Sequence, residues 1–479
     1  MIPSAAGLRV NSDQGLSYYN SSSANRSQFE VEPNGILDAQ QIGTDKNLVD
    51  SIHSKTTSTR ELSATNIEDD RVVTAESELR NAIGGGQRII LYDDITLTSP
   101  VRDDFGSADI IIDLNGHSIT RADGVDDDML NLTTTGVVWV CNGFIDGNRP
   151  GQTIAEGGTE IFTQNAGEVL YHNISVIDNL GFALYTDECD TVLIDGCTVR
   201  SYLNGSTADG PGLDGVHIND AKYATVSDCN IVSGDDAVAI MADDRDIEGV
   251  SVSGGTHTSP YHANGVKVVI RSTAAAGREI NSVNIDTTSV DTSGSGIIVI
   301  DLSGSGSIST LNLNGAVTRP GDDGVYLDVD IANVDIDTTV EDSGGAGISS
   351  VGSIDSGSVK GTITNAASPS ANIVGGSNIN IDLTVDGKST TTTGLWLENL
   401  TNCRVSGTIT DTTSACVRGQ NSQYIVVSGL VTSGADDFPI KSGNGSDQWT
   451  VVGCSGQGNS QTGTSLSGTN TISANNFGN

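Results

Sequence analysis

Apolar and polar positions follow a short recurring pattern from residue 181 onward. A glycine or other small residue precedes an apolar residue, a variable residue and a second apolar residue, as in GVHI at 215–218, AVAI at 237–240 and GVKV at 265–268. Most copies lie 21 to 24 residues apart. This alternation predicts a β-strand with two inward apolar side chains and one outward variable side chain in each copy.

A second series of strand-like segments keeps step with the first, as in VLID at 192–195, VNID at 283–286 and LNLN at 311–314. Two strands plus turns in about 22 residues fit one coil of a parallel β-helix, which buries its apolar residues only by stacking on neighbouring coils. The chain lacks the LxxLxL pattern of leucine-rich repeats, and a propeller needs four strands per repeat. We therefore predict an all-β, right-handed parallel β-helix, with the handedness taken from the usual crossover rule.

The region before these strands has a different character. It is polar and weakly periodic, so it is either a disordered leader or an attachment segment, and its composition favours the leader. The segment TAESELRNAI at 74–83 then predicts an amphipathic helix with Thr74 as N-cap and glycines 84–86 as its stop. Such a helix would cover the open end of the strand stack. The predicted organisation is a leader or attachment segment at 1–72, a capping helix at 73–86 and a parallel β-helix at 87–479.

Charge limits the possible partners. The formal net charge is −38, from 61 acidic and 23 basic residues, of which only seven are lysine. Phosphates would be repelled along most of the surface, so we expect no nucleic acid partner. The acidity either maintains solubility or is an adaptation to molar salt, where the Debye length falls to ~3 Å. The scarcity of lysine favours the salt adaptation.

The seven cysteines form no CxxC pair and no zinc spacing, so we expect free thiols. Cys197 and Cys229 occupy matching strands and are expected to stack as small residues. No apolar run approaches transmembrane length, and we expect no membrane insertion. The residues that follow Met1 do not form a recognisable secretory signal. We therefore expect an intracellular protein, a protein processed before this numbering starts, or a component carried outside on a particle.

Three aspartates are the strongest candidates for chemistry. Asp214 in DGVHI and Asp236 in DAVAI lie 22 residues apart, which is one coil, so they should lie about 4.8 Å from each other. Asp235 precedes Asp236 directly. Carboxylates this close repel, so at least one should have a raised pKa, which supplies the acid and base that glycoside hydrolysis needs. The alternative is a solvated turn, because Asp-Asp pairs recur at 243–244 and 322–323.

The outward positions of successive coils should form a ladder on one face of the protein. Its predicted members are Ala183, His217, Ala239, Lys267, Ile298, Tyr326, Ser349, Asn372 and Trp396. His217 and Lys267 should flank the carboxylates, with His217 as a ligand-facing polar residue. Tyr326 and Trp396 should present ring faces to a sugar, although Trp396 fits an inter-subunit contact equally well. We expect no cofactor and no metal site.

The stretch LDGVHINDAKYATVSDCNIVSGDDAVAI at 213–240 resembles the active-site region of the polygalacturonase and rhamnogalacturonase glycosidases, which reads NTDG, one coil, then GDDCxAI. FIDGN at 144–148 is similar to their GTIDG strand. In place of NT and of the Cys, this chain has Gly212-Leu213 and Ala237. The resemblance implies an inverting hydrolysis in which Asp235 is the general acid and Asp214 and Asp236 activate water.

That family also clamps its substrate with an Arg-Ile-Lys motif, which HANGVKVVIR at 262–271 approaches. On this alignment Lys267 takes the place of the arginine and Val269 that of the lysine. Arg271 would replace the lysine if the strand bulges. His257 lies 22 residues after Asp235, but in a strand of the second series.

The organisation resembles that of viral tail spikes, in which a short N-terminal part attaches and a β-helix meets the glycan. This resemblance implies a virion protein that binds and hydrolyses host surface polysaccharide, is a homotrimer, and contacts tail or baseplate proteins through its N-terminal segment. One alternative is a non-catalytic receptor-binding or structural fibre on the same fold. Another is a secreted polysaccharide hydrolase of a halophile.

Overall fold

The computed structural model describes residues 7–11, 15–19, 70–153, 157–201, 212–271, 277–367, 369–388, 393–435, 437–461, 463–467 and 471–474. Contacts divide the chain into two units, Met1–Thr65 and Asn66–Asn479. In the first unit, Gly7–Asn11 pairs antiparallel with Gly15–Tyr19. The other residues of the predicted leader up to 69 lie outside the described residues.

The second unit is a stack of parallel strands, which confirms the prediction of an all-β parallel β-helix. One sheet carries the outward ladder and is called the ladder sheet below. It contains fifteen strands, whose order in the sheet follows the chain. They are Val101–Asp104, Leu130–Thr133, Ile161–Gln164, Leu184–Asp187, Val216–Asn219, Val238–Ala242, Val266–Ile270, Ile297–Asp301, Val325–Asp328, Ile348–Ser350, Ala371–Ser377, Leu395–Thr401, Val417–Gln420, Ile440–Ser442 and Thr464–Ser465.

The rest of each coil is a longer stretch that bends around the core. In some coils it is one continuous strand, such as the 12 residues of Glu279–Val290, and in others it is two short strands. These strands are Arg71–Val73, Arg88–Leu91, Ile95–Leu97, Ile110–Asp113, Ser118–Arg121, Val137–Asp146, Glu168–Ile177, Thr191–Asp195, Thr198–Arg200, Tyr223–Ser227, Asn230–Val232, Gly249–Thr258, Glu279–Val290, Ser307–Thr318, Asp330–Glu341, Gly357–Thr364, Ile379–Asp386, Arg404–Thr410, Val426–Ser428, Val431–Ser433, Thr450–Val452, Ser455–Gln457 and Ile472–Ala474. A 3-10 turn spans Arg149–Gly151.

Apolar residues of successive coils stack on one another inside the solenoid. Val216 pairs with Val238 and Ile218 pairs with Ile240, as the 22-residue step predicted. All four side chains are fully buried. The aligned aliphatic columns remove apolar surface from water in every coil, and this fixes the register between coils.

The predicted helix spans Glu76–Ala82 and buries Leu79 and Ala82 against the first coils. Its N-cap is Ala75, so the prediction of Thr74 as the capping side chain is wrong. The helix begins later than expected, and the Glu78 carboxylate instead accepts hydrogen bonds from the backbone N–H of Thr74 at 2.8 Å and from its hydroxyl at 3.1 Å. Strand Arg71–Val73 pairs with Arg88–Leu91, so a paired strand already precedes the helix.

All seven cysteines lie among the described residues. They are buried and free, which confirms the prediction of free thiols. Within the described ranges, the structure contains no helix with the length and apolarity needed to cross a membrane.

A buried ion pair lies near the N-terminal end of the solenoid. The side chains of Arg121 and Glu160 are both fully buried and form a salt bridge. The second carboxylate oxygen of Glu160 accepts the backbone N–H of Leu180 at 2.6 Å. Burial raises the pKa of Glu160 to about 7, against the opposing effect of the Arg121 charge.

Candidate functional site

The three predicted aspartates come together on the outer side of the ladder sheet. Asp214, Asp235 and Asp236 each place one carboxylate oxygen within 4.8 Å of the others. Asp214 and Asp236 lie two residues before the paired strands Val216–Asn219 and Val238–Ala242. The coil repeat therefore stacks one carboxylate on the next.

Asp214 and Asp236 belong to a column of side chains that link adjacent coils. Asp214 Oδ1 accepts the backbone N–H of Asp236 at 3.0 Å, and Asp236 Oδ1 accepts that of Asn264 at 3.0 Å. Asn264 Oδ1 accepts the backbone N–H of Ser295 in the next coil, also at 3.0 Å. We call Asp214, Asp236 and Asn264 the acceptor column. Because an amide makes this bond at Asn264, the bond itself does not require a carboxylate.

The Asp-Asp pair at 322–323 lies at the bend before strand Val325–Asp328. Asp323 lies three coils after Asp236 in the same position, and its carboxylate accepts the Ala346 N–H at 2.6 Å. The equivalent residue in the preceding coil is Ser295. The two coils are joined there by a hydrogen bond that the backbone N–H of Gly296 donates to the backbone carbonyl of Asp323. Asp322, the equivalent of Asp235, is exposed. The turn interpretation therefore holds for that pair.

The pair at 243–244 is also part of a turn. The backbone N–H groups of Asp243 and Asp244 donate to Asp220 Oδ1 at 2.8 and 2.9 Å. Neither residue takes part in the stack of Asp214 and Asp236. Asp323 differs from that stack because its equivalents in the adjacent coils, Ser295 and Ala346, carry no carboxylate.

His217 and Lys267 flank the carboxylates, as predicted. His217 Nδ1 lies 2.7 Å from Asp214 Oδ2, and Lys267 Nζ donates to Asp236 Oδ2 at 2.8 Å. Between them in the ladder lies Ala239, whose methyl group is fully buried. A small residue at this rung lets the two longer side chains reach the carboxylates from opposite sides.

The expectation of a raised carboxyl pKa agrees with the environment of two aspartates. Burial raises the pKa of Asp214 to about 6, and the bond to His217 partly opposes this. Burial also raises the pKa of Asp235, and the negative charge of Asp236 adds to this increase. The hydrogen bond that the backbone N–H of Gly212 donates to Asp235 Oδ2 at 2.7 Å opposes it. Asp235 is the least buried of the three, so it is the one best placed to exchange a proton with a bound ligand.

The pKa of Asp214 predicts how stability depends on pH. A folded-state pKa above the ordinary 3.8 means that the folded protein binds the proton more tightly than the unfolded chain. The resulting stabilisation is complete below pH 3.8 and is lost as the pH rises through about 6. We expect Asp214→Asn to reduce the fall in unfolding free energy between pH 4 and pH 7, as measured by urea denaturation. Asp322→Asn should retain the wild-type dependence, and an unchanged pH dependence in Asp214→Asn would contradict this prediction.

Arg271 does not join the carboxylates. It follows Lys267 by four residues, about 13 Å along an extended strand, and its guanidinium pairs with Asp243. The strand pairs without interruption from Val238↔Val266 to Ala242↔Ile270, so the bulge that would have moved Arg271 is absent from this described strand.

Tyr326 and Trp396 lie on the ladder as expected, but away from the carboxylates. Tyr326 is two coils beyond Lys267, about 10 Å away, and Trp396 is three coils further, about 14 Å. The Tyr326 hydroxyl lies 3.4 Å from Asp328 Oδ2, while the Arg418 guanidinium lies 4.8 Å from the centre of the Trp396 ring. A role in sugar binding remains a prediction for both.

The prediction of Ala183 as a ladder rung is wrong. Tyr185 pairs with His217, and Ala183 is fully buried. The strand begins at Leu184, so the sequence GFAL belongs mainly to the turn before it. An offset of two residues preserves the inside and outside alternation, and for this reason the sequence pattern did not reveal it.

Three aromatic side chains next to His217 were not among the predicted site residues. Phe162, Phe182 and Tyr185 are all half-buried, and we call them the aromatic platform. The His217 ring stacks on Phe182 with centroids 4.5 Å apart and meets Tyr185 edge-on at 4.9 Å. The outward position of Phe162 in IFTQ was the available signal. His257, by contrast, is buried in the core, where its Nδ1 lies 3.1 Å from the Thr287 hydroxyl.

No family model and no curated protein matches this chain. Among solved structures, the A-module of mannuronan C-5 epimerase AlgE4 from Azotobacter vinelandii is 14% identical over 77% of this chain and 94% of that one, with a TM-score of 0.40. The A-module of mannuronan C-5 epimerase AlgE6 from the same bacterium is 14% identical over 85% of this chain and 96% of that one, with a TM-score of 0.37. The catalytic unit of the thermostable GH87 alpha-1,3-glucanase from Streptomyces thermodiastaticus strain HF3-3 is 12% identical over 86% of this chain and 68% of that one, with a TM-score of 0.37. At these values none of the three assigns an activity to this chain.

Proposed function

We propose that the outer face of the ladder sheet binds a polysaccharide and that Asp214, Asp235 and Asp236 hydrolyse one of its glycosidic bonds. The observation that carries the proposal is the acceptor column, where an amide is sufficient for the structural bond but two stacked carboxylates are present. Two neighbouring negative charges have an electrostatic cost that the fold does not require. A reaction that consumes and returns protons gives them a purpose.

The proposed step uses the three carboxyl groups in two roles. Asp235, half-buried and with a raised pKa, donates its proton to the glycosidic oxygen as the bond from the anomeric carbon to that oxygen breaks. Water held by Asp214 and Asp236 adds its hydroxyl to the anomeric carbon and leaves its proton on a carboxylate. Lys267 and His217 hold these two carboxylates in position.

Stereochemistry is a separate part of the proposal. We assign inversion because the resemblance to the polygalacturonases implies it. The spacing of the carboxyl groups does not support this assignment, since inverting enzymes generally separate their acid and base by ~6.5–9.5 Å, whereas one oxygen of each carboxyl group here lies within 4.8 Å of the others. The anomer formed first, observed by proton NMR during the reaction, distinguishes inversion from retention.

The test follows new reducing ends when purified protein is incubated in molar salt with polysaccharide from candidate host surfaces. We expect release by the wild type and a loss of about 10²-fold or more in Asp235→Asn, because the general acid is removed. Asp322→Asn changes the equivalent residue of the second Asp-Asp pair and should retain full activity. Equal activity in both variants would exclude Asp235 as the acid.

A second candidate is a binding protein without catalysis on the same face. The observation that favours it is that Asp214 and Asp236 each already have a partner, His217 and Lys267, at hydrogen-bonding distance. Binding of polysaccharide without release of reducing ends by the wild type would select this candidate.

For the biological setting, we propose an attachment spike or fibre of a virion, with a secreted hydrolase as the alternative. The long solenoid of fifteen ladder strands supports a shaft, and the net charge of −38 supports a host that lives in salt. We propose a homotrimer that contacts tail or baseplate proteins through its N-terminal segment. Light scattering in molar salt tests the trimer, and a mass near the 49.3 kDa of a single chain would contradict it.

A further inference from the structure

We infer that the polysaccharide is uncharged next to the carboxylates and that one of its sugar rings stacks on the aromatic platform of Phe162, Phe182 and Tyr185. The inference rests on the proposed function, because it names the class of glycan that the same face would take. It departs from the polyuronate substrate that the resemblance to polygalacturonases implies.

Phe162 and Tyr185 of the platform occupy consecutive rungs of the ladder sheet, and Phe182 lies in the turn before the strand of Tyr185. Phe162 pairs with Tyr185, and Tyr185 pairs with His217, so the rings rise one coil at a time toward the coil of Asp214. The rings of Phe162 and Tyr185 are stacked with centroids 4.7 Å apart, while Phe182 meets Tyr185 edge-on at 5.3 Å. All three residues remain partly exposed. Aromatic residues make up only 4% of this chain, so their concentration beside the carboxylates is notable.

Partly exposed aromatic side chains offer apolar contact area in a fixed orientation at little entropic cost. The apolar faces of sugar rings are complementary to such surfaces. His217 continues the platform up to Asp214, so a ring stacked on Tyr185 lies one coil, about 4.8 Å, before the carboxylates. The platform can therefore position a chain whose next linkage reaches Asp235.

The charges on this face exclude a polyanion. Across the six ladder strands from Ile161–Gln164 to Ile297–Asp301, Lys267 is the only lysine or arginine, and it is bonded to Asp236. Arg271 follows one of these strands and is paired with Asp243. The segments 202–211 and 272–276, outside the described residues, contain neither lysine nor arginine.

Recognition of a sugar carboxylate usually requires a cation that can donate hydrogen bonds to it, most often the guanidinium fork of an arginine. The cations named here already bind carboxylates of the protein. A polyuronate chain would add its own negative charges beside Asp214, Asp235 and Asp236, and like charges at close range repel. An uncharged glycan has no such repulsion and uses the apolar platform.

The experiment measures binding by the Asp235→Asn protein, so that turnover plays no part. The probes are neutral polymers (dextran, mannan and galactan) and polyuronates (polygalacturonate and alginate), each at 0.1 M and 2 M KCl. We expect at least one neutral polymer to bind with little dependence on salt, and no polyuronate to bind at 0.1 M. Tyr185→Ala and Phe182→Ala should each weaken that binding about tenfold, whereas Tyr185→Phe retains the ring and should bind normally.

Tyr223→Ala is the matched control, because this exposed tyrosine lies on a strand outside the ladder sheet. The inference would be overturned if a polyuronate bound more tightly than every neutral polymer, or if none of the neutral polymers bound. It would also be overturned if Tyr185→Ala and Phe182→Ala both bound the neutral polymer as tightly as the parent protein. Hydrolysis of a polyuronate by the wild type would overturn the inference but support the proposed function. Binding of a neutral polymer that the wild-type protein does not hydrolyse would support the inference and contradict the proposed catalysis.

Discussion

Replacing Asp236 with asparagine is expected to lower hydrolysis by about two to four orders of magnitude while the protein still folds. The amide oxygen can accept the two bonds that Asn264 donates, 3.0 Å from its backbone N–H and 2.8 Å from its side chain. It cannot accept a proton from water. Reducing-end release and circular dichroism, measured on the same preparation, check both halves of the prediction.

The ion pair with Lys267 complicates this variant, because Asp236→Asn leaves a partly buried ammonium without its carboxylate. We expect a loss of unfolding free energy of about 1–3 kcal/mol. Adding Lys267→Met removes the unpaired charge and should recover part of that stability without restoring activity. Activity that returns together with stability would show that Asp236 acts only on the fold.

Replacing Glu160 with leucine is expected to have the largest effect on stability, about 3–5 kcal/mol of unfolding free energy. The variant leaves the Arg121 guanidinium fully buried without its carboxylate and the Leu180 N–H without its acceptor. Urea denaturation at pH 8, above the raised pKa of Glu160, provides the measurement.

Two controls separate this effect from a general sensitivity to lost ion pairs. Arg102→Ala breaks surface ion pairs with Asp127 and Asp128 and should cost only about 0–1 kcal/mol. The double variant Arg121→Met with Glu160→Leu removes both buried charges and should be more stable than Glu160→Leu alone. A double variant that is no more stable than Glu160→Leu would indicate that the pair contributes through packing rather than charge.

The register of the carboxylates was predictable from the sequence because one periodicity determines it. The 22-residue step places Val216 on Val238 and therefore Asp214 on Asp236, and both strands follow a regular alternation of apolar residues. Interior aliphatic columns tolerate no offset by one residue without exposing apolar side chains. The fold class followed from the same constraint.

The aromatic platform was not predictable in the same way. Ala183 and Tyr185 differ by two residues, an offset that periodicity alone does not detect, and Phe182 lies in a turn that has no period. The interpretation of Thr74 as N-cap also failed, because Ser, Thr and Glu near a helix start offer several competing hydrogen bonds. Which residue caps is decided by where the chain enters the stack, and this depends on tertiary contacts.

The acceptor column has a consequence for how such a site can arise. Asp214, Asp236 and Asn264 make the same inter-coil bond, so either an aspartate or an asparagine can supply it. A single-base change converts an asparagine codon into an aspartate codon. A lineage of these proteins could therefore gain, lose or relocate a pair of stacked carboxylates along the solenoid by changes at one position per coil, each of which preserves the inter-coil bond.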